Sequence, residues 1–221
     1  MSRIFAIGDV HGCSKTFRKM VLDEINLQKS DVLYCIGDYI DRGNDSKGVI
    51  DLILELRAKG FTLHTLRGNH EQIMMDSGES NEMFRLWMAN GGDSTLRSFE
   101  ADSYDDFARE YKAFFEKTEF YLTAERYIFV HAGLNFNSAD PFADKESMLW
   151  IRGFEIDDQV LGNRIIIHGH TPTQLGSILA QDGRKVINID GGCVYKQREG
   201  LGNLIGLNVL ENKFVVVGNV D

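Results

Sequence analysis

Five short polar motifs, each placed where an apolar, β-branched run stops, constrain this chain more than any other feature. They are Asp9-Val10-His11-Gly12, Gly37-Asp38-Tyr39-Ile40-Asp41-Arg42-Gly43, Gly68-Asn69-His70-Glu71, His131-Ala132-Gly133 and Gly169-His170-Thr171-Pro172. The runs before them, residues 4–7, 32–36, 61–66, 127–130 and 164–167, read as short buried strands. Open α/β sheets bind ligands at such strand ends, so the motifs should bring carboxylates, imidazoles, an amide and a guanidinium to one rim.

Between these strands the pattern switches to helical spacing. Ser14 reads as an N-cap, with Phe17, Met20, Val21, Leu22 and Ile25 giving a helix up to Asn26. Val49, Ile50, Leu52, Ile53 and Leu56 form a second helix that stops at Gly60. Segments 72–76, 82–89 and 104–115 are also helical in pattern, with a turn at Asn90-Gly91-Gly92, so residues 71–117 read as a helical insertion capping the rim. Strands dominate after residue 119 and end in a hairpin, 204–210 and 214–217, around Glu211-Asn212-Lys213. The expected fold is α/β in the first half and strand-rich in the second.

A chain of 221 residues with 43% hydrophobic content fills one core, so one catalytic domain over 1–221 is expected. No apolar stretch is longer than a strand and residues 1–3 lead straight into one, which fits neither a membrane span nor a signal peptide; a cytoplasmic location is the expectation. Cys13, Cys35 and Cys193 are odd in number and lack CxxC spacing, which argues for reduced thiols rather than disulfides or a cysteine zinc site. The net charge of −9 disfavours nucleic acid as a partner, and any phosphate site must be made locally positive.

Asp9 and His11 stand two residues apart, so in an extended segment both side chains leave one face and can chelate one cation. Each remaining motif residue has an ordinary explanation when taken alone, as a helix cap, turn former or core histidine. Jointly those explanations fail, because chance does not place Asp-x-His, Asp, Asn-His, His and His at five strand ends. Carboxylate, imidazole and carboxamide donors without thiolate suit Mn²⁺, Fe or Zn²⁺. There are more donors than one ion needs, which points to two divalent ions ~3.5–4 Å apart, the clamp used in phosphoryl displacement.

The order GDVHG, GDYIDRG, GNHEQ, HAG and GHTP, spanning residues 8–172, resembles the metal-dependent phosphoprotein phosphatases and especially their compact bacterial and phage members. The resemblance implies a metallophosphoesterase fold, a two-sheet β-sandwich flanked by helices. It implies Asp9, His11 and Asp38 as ligands of one metal, and Asp38, Asn69, His131 and His170 as ligands of a second, with Asp38 bridging. It further implies His70 as general acid, Asp41 as its carboxylate partner, and Arg42 as a phosphate ligand. Arg152, in Leu149-Trp150-Ile151-Arg152, stands where a second phosphate arginine is expected. Two divalent ions, Mn²⁺ first and Fe or Zn²⁺ as alternatives, are then the expected cofactors. Phosphoserine or phosphothreonine in proteins or peptides is the expected substrate of a monomer without membrane partners.

Other residues have plainer roles. His168 could face the same way as His170, but the resemblance uses the histidine of GHT. His64 reads as a core or interface residue, Cys13 as a small buried one, and Glu71 as either a loop-orienting group or a first-turn helix acid. Asp190-Gly191-Gly192 should close a late strand near the rim and is left outside the catalytic set. Two rival functions remain. One is a dinucleoside tetraphosphate hydrolase, whose relatives tend to lack the Asp of DRG and to read GNHD, where this chain has Asp41 and Glu71; the other is a metal-binding module that has lost catalysis.

Overall fold

The computed structural model describes residues 2–181 and 183–221. Two sheets face each other. One has the order β3-β2-β1-β8-β9, built from β1 (Ile4–Ile7), β2 (Val32–Cys35), β3 (Thr62–Thr65), β8 (Asn203–Asn208) and β9 (Lys213–Gly218). The other has the order β4-β5-β6-β7, built from β4 (Tyr121–Ala124), β5 (Tyr127–Val130), β6 (Ile165–His168) and β7 (Val186–Asn188). This is the α/β two-sheet sandwich that the family resemblance implies.

Strands β1, β2 and β3 are mutually parallel, in the register Ile4 to Val32 to Thr62, and so are β5, β6 and β7. Parallel pairing puts all their C-terminal ends on one side, which is why the five motifs meet. Because β8 runs antiparallel to β1, the loop that precedes it, residues 190–202, returns to the same rim.

Both faces of the central strands are buried, which explains their unbroken apolar character. Ala6, Tyr34, Phe129, Ile167, Ile187 and Leu207 meet between the sheets. Phe5, Ile7, Leu33 and Cys35 point instead to the helices α1 (Ser14–Arg18) and α2 (Ser46–Ala58), among Phe17, Met20, Val49 and Ile53. On the far side, Ile128, Val130 and Ile166 pack with Met148 of α7 (Lys145–Trp150) and Leu161 of α8 (Asp158–Leu161). Between the sheets the Tyr34 ring stacks on Phe129 at 4.0 Å, and within its own sheet it stacks on His64 at 4.9 Å.

Several boundaries differ from the sequence expectation. Ser14 is the first helical residue and not the cap: its hydroxyl donates to Asp45 (2.5 Å), which caps α2 by accepting from Gly48 N. After Arg18 the first helix widens to i→i+5 bonding over Lys19–Glu24, where Ile25 N reaches Met20 O. The insertion holds α3 (Asn69–Asp76), α4 (Asn81–Ala89), α5 (Gly92–Phe99) and α6 (Arg109–Glu116). Helix α5 is absent from the sequence reading, because Asn90-Gly91-Gly92 looks like a terminator; Gly91, at φ 100°, serves as the N-cap of a new helix. The second half is also less purely β than expected, since α7, α8 and α9 (Leu175–Leu179) lie between its strands. Among the described residues no helix is long and apolar enough to cross a membrane.

His64 gives the fold a testable pH dependence. Half-buried against Tyr34, it is held below its ordinary pKa by burial and by the Arg57 charge. The unfolded chain therefore binds the proton first, so this contribution is present above the ordinary imidazole range and is lost as pH falls through the folded value. Urea denaturation at pH 7 and pH 5 should show a smaller acid loss for His64→Phe than for the wild type; equal losses would remove His64 from the balance.

Candidate active site

The three motifs of the first sheet are locked together through the backbone of Asp38. Its carbonyl accepts from Val10 N (3.1 Å) and His11 N (2.8 Å), tying the first motif to the second. Glu71, fully buried, accepts from the amides of Asp38 (2.9 Å), Tyr39 (2.8 Å) and Gly68 (2.9 Å), tying the second to the third. Glycine is required where backbone runs against the acids: a Cβ on Gly68 would lie 2.1 Å from Asp38 Oδ1, and one on Gly169 2.1 Å from Asp9 Oδ1. Nine non-glycine residues among those described have positive φ, and five of them are His11, Asp38, Asp41, Arg42 and His170. Strain of ~1–3 kcal/mol per residue is thus concentrated in the motifs, as at sites shaped for function.

Backbone carbonyls set the histidine tautomers. His11 Nδ1 lies 2.8 Å from Ile40 O and His131 Nδ1 3.0 Å from Ile36 O. A carbonyl only accepts, so Nδ1 carries the proton and Nε2 presents its lone pair. Those Nε2 atoms approach opposite oxygens of one carboxylate, His11 at 3.4 Å from Asp38 Oδ2 and His131 at 3.5 Å from Asp38 Oδ1. Asn69 Oδ1 stands 3.0 Å from His131 Nε2 and 2.9 Å from His170 Nδ1. Two converging donor groups result, His11-Asp38-His70 and Asp38-His131-His170, with Asp38 common to both. Asp9 is buried beside them but falls outside both triads; its oxygens accept from His170 N at 3.3 and 3.1 Å.

This donor set fits divalent cations. His170 Nε2 is buried without a hydrogen-bond partner among the described residues. Burial lowers the pKa of His11 and His131, and that of His170 to about 3, so these rings are neutral with lone pairs available. Burial also raises Asp9 well above the carboxylate range, reinforced by repulsion from Asp190 and Asp38, and lifts Asp190 to about 7. For Asp38 burial opposes the charge, but the surrounding imidazoles, of which His70 is the one whose own pKa is raised, favour the carboxylate and hold its pKa below the ordinary range. Buried acids ringed by imidazole and carboxamide donors, with no thiolate, are a hard-to-borderline metal environment.

The acid–base pair lies alongside. His70 Nδ1 is 2.7 Å from Asp41 Oδ2, with both side chains out of solvent. Burial works against the charged imidazole, but Asp38 and the Asp41 hydrogen bond outweigh it and raise the His70 pKa. Arg42 Nη1 donates to His11 Nε2 (2.7 Å), covering the lone pair that a cation would take, and its guanidinium lies over the Tyr195 ring. Arg152 is exposed and reaches back to His170 O (3.3 Å). Both arginines open on one cleft of about 80 Å³, also lined by Asp38, Asn69, His70, Asn90, Trp150, His170, Pro172 and Tyr195.

The structure therefore brings the motif residues to one rim, with Asp9 beside the two donor groups and in neither. It places His168 elsewhere: this ring packs on Phe154 (5.6 Å) and belongs to neither donor group. Cys13 is buried and its thiol donates to His11 O (3.6 Å), a packing role. Glu71 resolves as the loop-orienting acid. Sequence reasoning missed Trp87, Thr95 and Tyr195 and left Asp190 outside, although Asp190 is buried within reach of the Asp9 and Asp38 charges. The only sequence signals were an aromatic beyond Asp190-Gly191-Gly192 and a tryptophan just before Asn90-Gly91-Gly92.

Comparison with known proteins agrees with this geometry. The chain is 37% identical over 90 residues to serine/threonine-protein phosphatase 1 of Salmonella typhimurium, a match covering 41% of this chain and only 39% of that protein. It is 23% identical over 243 residues to the asymmetrical bis(5'-nucleosyl)-tetraphosphatase PrpE of Oceanobacillus iheyensis, covering 98% of this chain and 92% of that one. Its fold matches a protein serine/threonine phosphatase from Saccharomyces cerevisiae with a TM-score of 0.67 at 19% identity, covering 100% of this chain and 81% of the other. The family model for calcineurin-like phosphoesterases matches residues 2–221, and with a bipartite His/Asp donor set at the rim of a two-sheet sandwich, the chain belongs to that metallophosphoesterase family.

Proposed function

We propose that this protein is a metal-dependent phosphomonoesterase that hydrolyses phosphoserine and phosphothreonine in proteins or peptides. The observation that carries this reading is the buried Asp41–His70 pair at the edge of the phosphate-sized cleft. A serine or threonine alkoxide is a poor leaving group and needs a proton as the P–O bond breaks, whereas a polyphosphate leaving group gains little from one. Asp41 accepts the Nδ1 proton of His70, which leaves Nε2 to deliver a proton to the departing oxygen. Arg42 and Arg152 bind non-bridging phosphate oxygens with permanently charged, planar forks. Asp9, His11, Asp38, Asn69, His131 and His170 would hold two divalent ions, Mn²⁺ being our choice, with Asp38 shared between them. Bound there, such ions supply Lewis acidity and lower the pKa of water toward ~7, so that a nucleophile is available at neutral pH. We place the protein in the cytoplasm as a monomer, with phosphoproteins as its partners.

The tetraphosphatase names among the relatives make dinucleoside polyphosphate the substrate to exclude. With Mn²⁺ present, kcat/KM should be higher for a phosphoserine peptide than for diadenosine tetraphosphate, with a phosphotyrosine peptide as a third comparison. A higher value for the tetraphosphate would give the site to nucleotide hydrolysis. His70→Asn should cut kcat on the phosphoserine peptide by ~10²–10⁴ and cost less on p-nitrophenyl phosphate, whose leaving group hardly needs a proton. Equal losses would remove His70 from the acid role.

Metal binding is testable without turnover. A cation that binds the folded chain alone must stabilise it. Adding Mn²⁺ to chelator-treated protein should raise the Tm, and Asp38→Asn should abolish most of that rise. An unchanged Tm in the wild type, or an equal rise in the variant, would contradict a shared carboxylate.

A further inference from the structure

We infer that Trp87 and Thr95, in the helical insertion, are positioning residues for proton transfer that act through Asp41. The inference rests on the reading of His70 as the general acid. Asp41 is fully buried, and its carboxylate is gripped from two sides. Oδ1 accepts from the Thr95 hydroxyl at 2.6 Å and from the Trp87 indole at 3.0 Å; Oδ2 accepts from His70 at 2.7 Å and shares the indole N–H at 3.2 Å. The Asp41 amide donates to Thr95 Oγ1 (2.8 Å) and Ser46 Oγ (3.1 Å), which holds the backbone at φ 69°.

Neither donor sits there by default. An indole N–H only donates, and the fully buried Trp87 spends its single proton on this carboxylate. Thr95 is an inward-facing residue of α5 with no exposed surface, and its hydroxyl bridges the amide and carboxylate of one residue. The turn between α4 and α5 is shaped for this, since a Cβ on Gly92 would strike the Trp87 ring at 2.7 Å.

A carboxylate can turn about its Cβ–Cγ bond. With Oδ1 held by two donors, Oδ2 is the oxygen left for His70. That fixes the imidazole plane and the Nδ1–H tautomer, so that Nε2 faces the cleft. When the Nε2–H bond breaks and the new O–H bond forms on the leaving oxygen, the imidazole does not have to find its orientation first. The insertion is therefore part of the acid's support as well as a cover for the rim.

Trp87→Phe and Thr95→Val each remove the donor and keep most of the volume; Thr95→Ser keeps the hydroxyl. Each of the first two should lower kcat on a phosphoserine peptide ~10–100-fold, the usual range for an outer-shell partner. KM and bound Mn²⁺ should stay near wild type, and p-nitrophenyl phosphate should be affected less than about threefold. Thr95→Ser should retain activity, and Trp87→Phe should add nothing in a His70→Asn background. ¹⁵N NMR of histidine-labelled protein supplies an independent readout: the His70 Nδ1–H should exchange slowly in the wild type and lose that protection in Trp87→Phe/Thr95→Val. Equal losses on both substrates, a further loss in the His70→Asn background, or an unchanged Nδ1–H signal would overturn the inference. If His70→Asn itself fails to discriminate the substrates while the Nδ1–H responds as expected, the acid assignment fails and the positioning of His70 stands.

Discussion

Asp38 is the interaction on which the rest of the site depends. It is a buried carboxylate with imidazoles on both sides, and its backbone is bonded to two other motifs. Burying an ion costs several kcal/mol unless partners replace its hydration. Here the partners come from the ends of β1, β3, β5 and β6, so forming the site requires both sheets to close in register. The stack of Tyr34 on Phe129 joins β2 and β5, the strands that lead into Asp38 and His131.

The same demand explains the unusual local chemistry. Glu71 accepts from three amides that a tight turn leaves without strand partners, and it does so at the cost of burying another acid close to Asp38. Left-handed conformations at His11, Asp38, Asp41, Arg42 and His170 turn the side chains toward one point. Glycines at 68 and 169 let backbone pass where a Cβ would collide with Asp38 or Asp9. Such strain and charge make sense when cations and a phosphate complete the electrostatics.

The strands and the donor set were legible in the sequence because both follow from short-range pattern: apolar runs of strand length, then polar motifs at their ends. Parallel pairing did the rest, bringing Asp9, His11, Asp38, Asn69, His70, His131 and His170 to one rim. What escaped the sequence was determined by tertiary contact. Helix α5 begins at a glycine that reads locally as a stop. Ser14 looks like a cap but serves the cap of a different helix, 31 residues away. Trp87 and Thr95 lie on helices with ordinary amphipathic spacing, and nothing in that spacing tells that an indole N–H and a hydroxyl will converge on Asp41, 46 and 54 residues earlier. Asp190 follows a strand as the motif acids do, but without a neighbouring histidine or amide it carries no local signature.

The central claim is that one carboxylate joins two cation sites. Electron paramagnetic resonance of the protein loaded with two equivalents of Mn²⁺ tests it most directly, since ions sharing a ligand are exchange-coupled and isolated ions are not. The wild type should give the spectrum of a coupled pair, and Asp38→Asn should give that of separate single ions. A single-ion spectrum from the fully loaded wild type would contradict the shared role of Asp38.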